Sequence, residues 1–93
     1  MYIVIRRWTN AATLAETMLQ QEQEVKELLR GVPGFVAYYA TRHGGGVTTV
    51  TVCQDREGTQ ESTRRAGEFV RKHLAGTTFE APEVIEGETF FQL

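Results

Sequence analysis

Several residue types are scarce in this sequence, and each shortage excludes a class of protein. The single cysteine, Cys53, cannot form a disulfide within the chain and cannot supply the thiolates of an iron–sulfur cluster. The two histidines and the cysteine are scattered without CxxC or HExxH spacing, so we expect no metal site. No apolar run approaches the ~20 residues that a membrane helix needs, so we expect no membrane partner.

An excess of positive charge is also missing. The net charge of −2 and the pI near 5.7 argue against a nucleic-acid partner, which normally requires a basic surface. The first residues are strand-like and lack the basic and apolar regions of a signal peptide, so we expect a reduced, cytoplasmic protein. The 93 residues predict one domain over 1–93, near the lower size limit for burying a good core.

The residues that are present predict the element order βαββαβ. Tyr2–Trp8 is rich in β-formers, and Thr13 with Glu16 predicts a capping box for one long helix that ends near Gly31. The remaining predicted elements are a strand over Phe35–Arg42, a glycine hairpin at 44–46, a strand over Val47–Gln54, a break over Asp55–Gly58, a helix over Thr59–Leu74 and a last strand over Glu83–Gln92.

This order predicts an α+β, ferredoxin-like fold: a four-stranded antiparallel sheet with both helices on one face. The other face is apolar as well, because Ile3 and Ile5 alternate with Val4 and Trp8 along the first strand. Soluble sheets rarely leave so much apolar surface exposed. We therefore expect a homodimer formed by sheet-to-sheet packing, which is a dimeric α/β barrel.

An ordered set of short motifs makes the chain similar to a known family. The motifs are Pro33-Gly34-Phe35-Val36-Ala37-Tyr38-Tyr39, Thr49-Val50-Thr51-Val52, Asp55-Arg56, Glu61-Ser62-Thr63-Arg64-Arg65-Ala66 and Pro82-Glu83-Val84 with Gly87-Glu88. Together they resemble the antibiotic biosynthesis monooxygenase-like superfamily of dimeric α/β-barrel proteins over nearly the full length. The resemblance is closest to the small uncharacterised members of that superfamily.

The resemblance implies a function. Enzymes of that superfamily carry out oxygen chemistry without a flavin or metal, or on a bound haem, in a pocket between the helices and the sheet. It implies a cofactor-independent, monooxygenase-like enzyme acting on a hydrophobic or aromatic small molecule, with haem as the alternative. Asn10 resembles the position of the enzymes' asparagine, and His73 resembles the iron-binding histidine of haem-degrading members, so both are candidate catalytic residues. The chain departs from the pattern at Cys53-Gln54-Asp55, where the enzymes often have a tryptophan.

Each candidate also has a structural explanation. Asn10 is equally a turn or cap residue, and His73 near a helix C-terminus is favourable for the helix dipole alone. Trp8, Tyr38 and Tyr39 are candidate substrate-binding residues, but aromatic packing would also account for them. Since neighbouring strand positions point to opposite faces, only one of the two tyrosines can line a given pocket.

The arginines have a similar pair of explanations, both those on the strands (Arg6, Arg7 and Arg42) and those early on the second predicted helix (Arg64 and Arg65). An arginine that points inward is costly unless it meets a carboxylate or an anionic ligand. Glutamates of the last strand are the expected partners in a structural ion-pair network: Glu83, Glu86 and Glu88. The alternative function is therefore a non-catalytic dimeric module that binds a ligand or stabilises an assembly.

Overall fold

The computed structural model describes residues 1–77 and 80–93 of the chain. The elements in chain order are β1 (Tyr2–Trp8), α1 (Ala12–Gln20), α2 (Glu22–Arg30), β2 (Phe35–His43), β3 (Gly46–Cys53), α3 (Arg56–His73) and β4 (Glu83–Glu88). Within the described residues, none of the helices has the length and apolar character that crossing a bilayer requires.

The four strands form one antiparallel sheet in the order β2-β3-β1-β4. β1 lies between β3 and β4, with Arg6 opposite Thr49 on one side and opposite Val84 on the other. The sequential strands β2 and β3 form a hairpin, in which Gly44 and Gly45 take the positive φ angles of 52° and 80° that favour glycine. The predicted ferredoxin-like fold is confirmed.

The first helical segment differs from the prediction, because it consists of two helices rather than one. The break is at Gln21, whose φ and ψ of −108° and 33° are not helical. The predicted capping box is wrong: α1 starts after Ala11 and has no side-chain cap hydrogen bond. Thr13 therefore already lies within the first turn, where its side chain cannot act as the N-cap.

Two further boundaries differ for identifiable reasons. The predicted break before α3 is helical from Arg56 onward, and Gly58 within that first turn packs directly against the carbonyl of Pro33. The last strand ends at Glu88 rather than Gln92, because Glu88 pairs with Tyr2 and β1 has almost no residues beyond it. Phe90 and the residues after it are consequently left outside the sheet, with Phe90 96% exposed.

The helix-covered face of the sheet contains the core. Strand alternation directs Val4, Arg6 and Trp8 of β1 toward the helices, together with the odd-numbered residues of β3. The buried apolar cluster is formed by Trp8, Ala11, Leu14, Ala15, Val47, Phe69 and Leu74. The side chains around this cluster also form the walls of the candidate site.

The opposite face carries a second apolar surface, which we call the open face. Its members lie on all four strands: Ile3, Ile5, Ala37, Tyr39, Val50, Val52 and Ile85. Tyr39 is 62% exposed and Ile85 is 52% exposed. Among the described residues, the three helices leave this face uncovered.

Candidate binding site between the helices and the sheet

A small cavity, here called the inner cavity, lies between the sheet and the helices. Its volume is about 40 Å³, and it is bordered by Trp8, Leu14 and Phe69 together with Arg6, Tyr38 and Thr49. A single water requires roughly 10–15 Å³ of such space, so the inner cavity holds only a few atoms. No carboxylate and no histidine borders it in the described part of the chain.

A larger groove lies beside it, between the first two helices and β2, and we call it the outer groove. Its volume is about 390 Å³. Met18, Val25 and Tyr38 border both spaces, so the two are neighbours separated by these side chains. Lys26 and Arg42 lie on the rim of the groove, and Lys26 is paired with Glu22 at 2.9 Å. The outer groove is large enough for the body of a small organic molecule, whereas the inner cavity is not.

Arg6 is the most unusual residue of the site, since its side chain is only 1% exposed. Its guanidinium donates hydrogen bonds to three hydroxyls: Ser62 Oγ at 3.2 Å, Thr63 Oγ1 at 2.8 Å and Thr51 Oγ1 at 2.6 Å. No carboxylate in the described residues forms a salt bridge with it. Burial lowers the pKa of Arg6, because desolvation disfavours the charged form.

The predicted ion pairing of strand arginines with the last strand is therefore correct for Arg7 and wrong for Arg6. Arg7 forms an exposed salt bridge with Glu83 at 3.0 Å. Arg6 meets hydroxyls instead, because it points to the helix-covered face where α3 presents Ser62 and Thr63. Its positive charge is thus buried with hydrogen-bond partners but without a bonded counter-ion.

Two buried polar atoms next to the inner cavity have no hydrogen-bond partner among the described residues. They are Arg6 Nε and Thr49 Oγ1. The two residues are direct cross-strand partners, and Thr49 is 1% exposed. Leaving a buried polar atom unpaired costs about 1–3 kcal/mol, so such pairs of atoms call for an explanation.

Tyr38 places a phenol at the boundary between the two spaces. Burial raises the pKa of this phenol above its usual value, opposed by the charge of Arg6 and by a weaker interaction with Thr49. The hydroxyl is therefore protonated at neutral pH and is available as a donor. Thr49 Oγ1 nevertheless has no hydrogen-bond partner among the described residues, so the phenol of Tyr38 lies near this hydroxyl without forming a hydrogen bond of normal geometry.

Of the five residues predicted for the site, the structure brings two together at the inner cavity. Trp8 is 7% exposed and borders the cavity, and Tyr38 borders both spaces. Tyr39 lies on the open face. Of the two tyrosines, Tyr38 is therefore the one directed at the site.

The two candidate catalytic residues lie elsewhere. Asn10 is an exposed residue of the turn after β1 and has a φ of +49°, a conformation that asparagine tolerates better than most residues. His73 is the last residue of α3, and its Nε2 lies 3.0 Å from Glu24. Its ring packs against Phe69 with 4.6 Å between the ring centroids. Neither residue borders the inner cavity or the outer groove.

His73 belongs to a small polar cluster that joins α2 to α3. Lys72 Nζ also approaches Glu24, at 3.2 Å. The hydrogen bond from His73 lowers the pKa of Glu24. Among residues 1–77 and 80–93, no group of three or more histidine, cysteine, aspartate or glutamate side chains is arranged to hold a metal ion.

Arg6 and Thr49 were not among the residues predicted for the site; Arg6 was expected to be part of a structural ion-pair network, although a signal for its inward position was present. Tyr2, Val4, Arg6 and Trp8 alternate on one face of the strand, which predicts that Arg6 points inward with its apolar neighbours. Thr49 had no such signal, because an unpaired hydroxyl is recognised only when its surroundings are known.

Comparison with known proteins identifies the fold alone. No family model matches the sequence, and the search of curated proteins found no match. A protein of unknown function from Nitrosomonas europaea is similar in structure, with a TM-score of 0.74, 16% identity and coverage of 99% of this chain and 91% of that one.

Two enzymes have similar structures. SnoaB, a cofactor-independent oxygenase from Streptomyces nogalater, has a TM-score of 0.63 at 16% identity, covering 99% of this chain and 95% of that one. MhuD, a haem degrader from Mycobacterium tuberculosis, has a TM-score of 0.67 at 14% identity, covering 100% of this chain and 99% of that one. These likenesses, all at 16% identity or below, support the predicted fold and show no more than the fold.

Proposed function

We propose that this chain is a cofactor-independent, monooxygenase-like enzyme that oxidises a hydrophobic or aromatic small molecule bound between its helices and its sheet. The observation that carries the proposal is the pair of adjoining spaces, apolar in lining and bordered by buried donors, in a fold shared with a cofactor-independent oxygenase. Pockets of this composition are the usual binding sites for small organic ligands.

The reaction type fits a site without a resident cofactor. Oxidation of a CH₂ group to a carbonyl by O₂ releases one water, and the substrate itself supplies all four electrons. No flavin, metal or external reductant is then needed. In this proposal Trp8 and Tyr38 position the substrate, while Asn10 and His73 polarise or deprotonate it, which requires the turn after β1 and the end of α3 to approach the bound substrate.

Haem is a poorer fit to the residues around His73. The Nε2 atom of His73 is already bonded to Glu24, and the inner cavity, which His73 does not border, is about 40 Å³, far smaller than a porphyrin. These residues therefore do not fit a haem.

The second candidate function is a non-catalytic dimeric module that binds a ligand. It is favoured by one observation: no carboxylate or histidine borders the inner cavity in the described chain, so a general base is not in place there. The binding chemistry of the site would be the same in both proposals.

We further propose that the working unit is a homodimer joined through the open face. Its apolar residues extend across all four strands, and β3 contributes Val50 at the centre, opposite Ile5 on one side and Tyr39 on the other. Two copies packed through this face would bury an apolar surface that a monomer leaves in water.

The test combines binding with turnover. Thermal-shift titrations with haemin and with a panel of polycyclic phenols report whether the native state binds either class of ligand. Oxygen consumption in metal-chelated buffer then reports turnover of each phenol that binds. Consumption that Asn10→Ala or His73→Ala reduces supports the enzyme and the roles of these residues. Binding without oxygen consumption favours the non-catalytic module, and a haemin response lost in His73→Ala would overturn the proposal of a cofactor-free site.

A further inference from the structure

The unpaired donors at the inner cavity indicate which chemical group the site receives. Arg6 Nε carries a hydrogen that it can only donate, and Thr49 Oγ1 carries a second hydrogen on the neighbouring strand. Both side chains are 1% exposed, so bulk water does not satisfy them. An acceptor that lies between them would satisfy both atoms.

The positive charge of Arg6 indicates that the acceptor is an anion. The guanidinium of Arg6 is bonded to three neutral hydroxyls and has no bonded carboxylate among the described residues. Glu86 acts on Arg6 through its charge without bonding to it, so a negative charge brought into hydrogen-bond contact would stabilise this buried cation further. A carboxylate supplies both the charge and several acceptor lone pairs.

The volumes of the two spaces determine how such a ligand would lie. The inner cavity, at about 40 Å³, has room for a carboxylate head group but not for a ring. The outer groove, at about 390 Å³, accepts the rest of the molecule, and Tyr38 lies between them. An apolar body linked to its carboxylate by a short flexible chain matches this arrangement.

We propose that the site takes hydrophobic carboxylic acids, with the carboxylate bound at Arg6 Nε and Thr49 Oγ1 and the apolar body in the outer groove. This inference rests on the proposed ligand site and adds the class of its ligand. It does not depend on whether the ligand is oxidised.

The experiment compares 4-phenylbutyrate with its neutral amide by calorimetry at pH 7.5. The two probes have the same length and the same ring, and they differ in the charge of one end. We expect the carboxylate to bind about ten- to a hundred-fold more tightly, the factor that a charge-assisted hydrogen bond contributes. Trp8 is the only tryptophan and borders the inner cavity, so its fluorescence gives an independent signal of occupancy.

Thr49→Val is the informative variant, because replacing Arg6 would remove three hydrogen bonds and endanger folding. The valine keeps the branched shape and removes only an unpaired hydroxyl, so the melting temperature is expected to stay the same or rise. Affinity for 4-phenylbutyrate should fall about five- to ten-fold, with affinity for the amide unchanged. Thr48→Val on the opposite face controls for the substitution itself, although its hydroxyl is bonded to exposed His43, and it should change neither affinity.

Each outcome decides the question. Equal affinity for the carboxylate and the amide would overturn the inference, since a buried water would then be sufficient to satisfy the two donors, while the proposal of a hydrophobic ligand site would stand. If acetate or inorganic phosphate binds as tightly as 4-phenylbutyrate, the site takes a free anion and the inference is overturned. The inference is also overturned if neither phenyl probe binds. Carboxylate-selective binding would support the inference even where no phenol of the panel consumes oxygen, a result that would favour the non-catalytic module over the proposed enzyme.

Discussion

Replacing Gly58 by alanine is expected to destabilise the protein, although alanine is the better helix former. Gly58 lies in the first turn of α3, where a Cβ atom would overlap the carbonyl oxygen of Pro33. It would also lie 2.8 Å from Cβ and 2.9 Å from Sγ of Cys53. The backbone oxygen and the buried cysteine cannot rotate away, so α3 would have to move from the sheet.

The same change at Gly67 provides a matched control in the same helix. A Cβ there meets only Arg71 Nη1, at 3.3 Å, the flexible end of a long side chain. Gly67→Ala should therefore gain about 0.5–1 kcal/mol from helix propensity. At Gly58 a similar gain is set against an overpacking cost of about 1–3 kcal/mol, and the rigid neighbours favour the upper end of that range. We expect a net loss of about 2 kcal/mol.

Thermal and urea unfolding of the wild type and both variants, at one protein concentration, measures the difference. Each kcal/mol corresponds to a change in melting temperature of roughly 4–8 °C for a domain of this size. Gly58→Ala should thus lower the melting temperature by about 8–16 °C, and Gly67→Ala should raise it slightly. If Gly58→Ala is as stable as Gly67→Ala, the close packing of α3 on Pro33 and Cys53 is not as described.

Two further predictions concern the open face and an ion pair. Val50→Lys at the centre of the open face should convert the dimer into a monomer, because each subunit of a dimer would bury an unpaired charge. Gln23→Lys, at an exposed position of α2, should leave the dimer intact. Light scattering after gel filtration measures the molar mass of each variant, and a monomeric wild type would refute the dimer. Bonds from Arg64 and Arg65 lower the pKa of Glu61 to about 2, so its contribution to stability is present above pH 5 and is lost as the pH falls toward 2. The difference in melting temperature between wild type and Glu61→Gln should shrink over that range, and a difference that is undiminished at pH 2 would contradict this reasoning.

Much of the fold follows from local pattern. The alternation of Val4 and Trp8 with Ile3 and Ile5 determines which side of β1 meets the helices, since the side-chain period of a strand is two. The same rule means that Tyr38 and Tyr39 face opposite sides. The break at Gln21 was not predictable, because the apolar spacing of Leu14, Met18 and Val25 continues across it.

The candidate site was predictable only in part, for a related reason. Trp8, Tyr38 and Tyr39 carry their own signal, as large aromatic residues on strands, but only the structure decided that Tyr38 is the inward one of the two tyrosines. Asn10 and His73 were selected by resemblance to enzymes, and their surroundings in this chain are a solvent-exposed turn and the carboxylate of Glu24. The position of Asn10 or His73 along the chain does not determine which side chains surround it in the folded protein.

The sequence by itself determined the order of the elements, the two-sided apolar character of the sheet and the exclusion of a disulfide within this chain. These properties depend on local periodicity and on composition. Only the tertiary structure decided that Arg6 meets the hydroxyls of Thr51, Ser62 and Thr63, which are 45 to 57 residues away in the chain. It alone left Nε of Arg6 and Oγ1 of Thr49 unpaired beside a cavity, because hydrogen-bond satisfaction depends on atoms that folding brings together from distant segments.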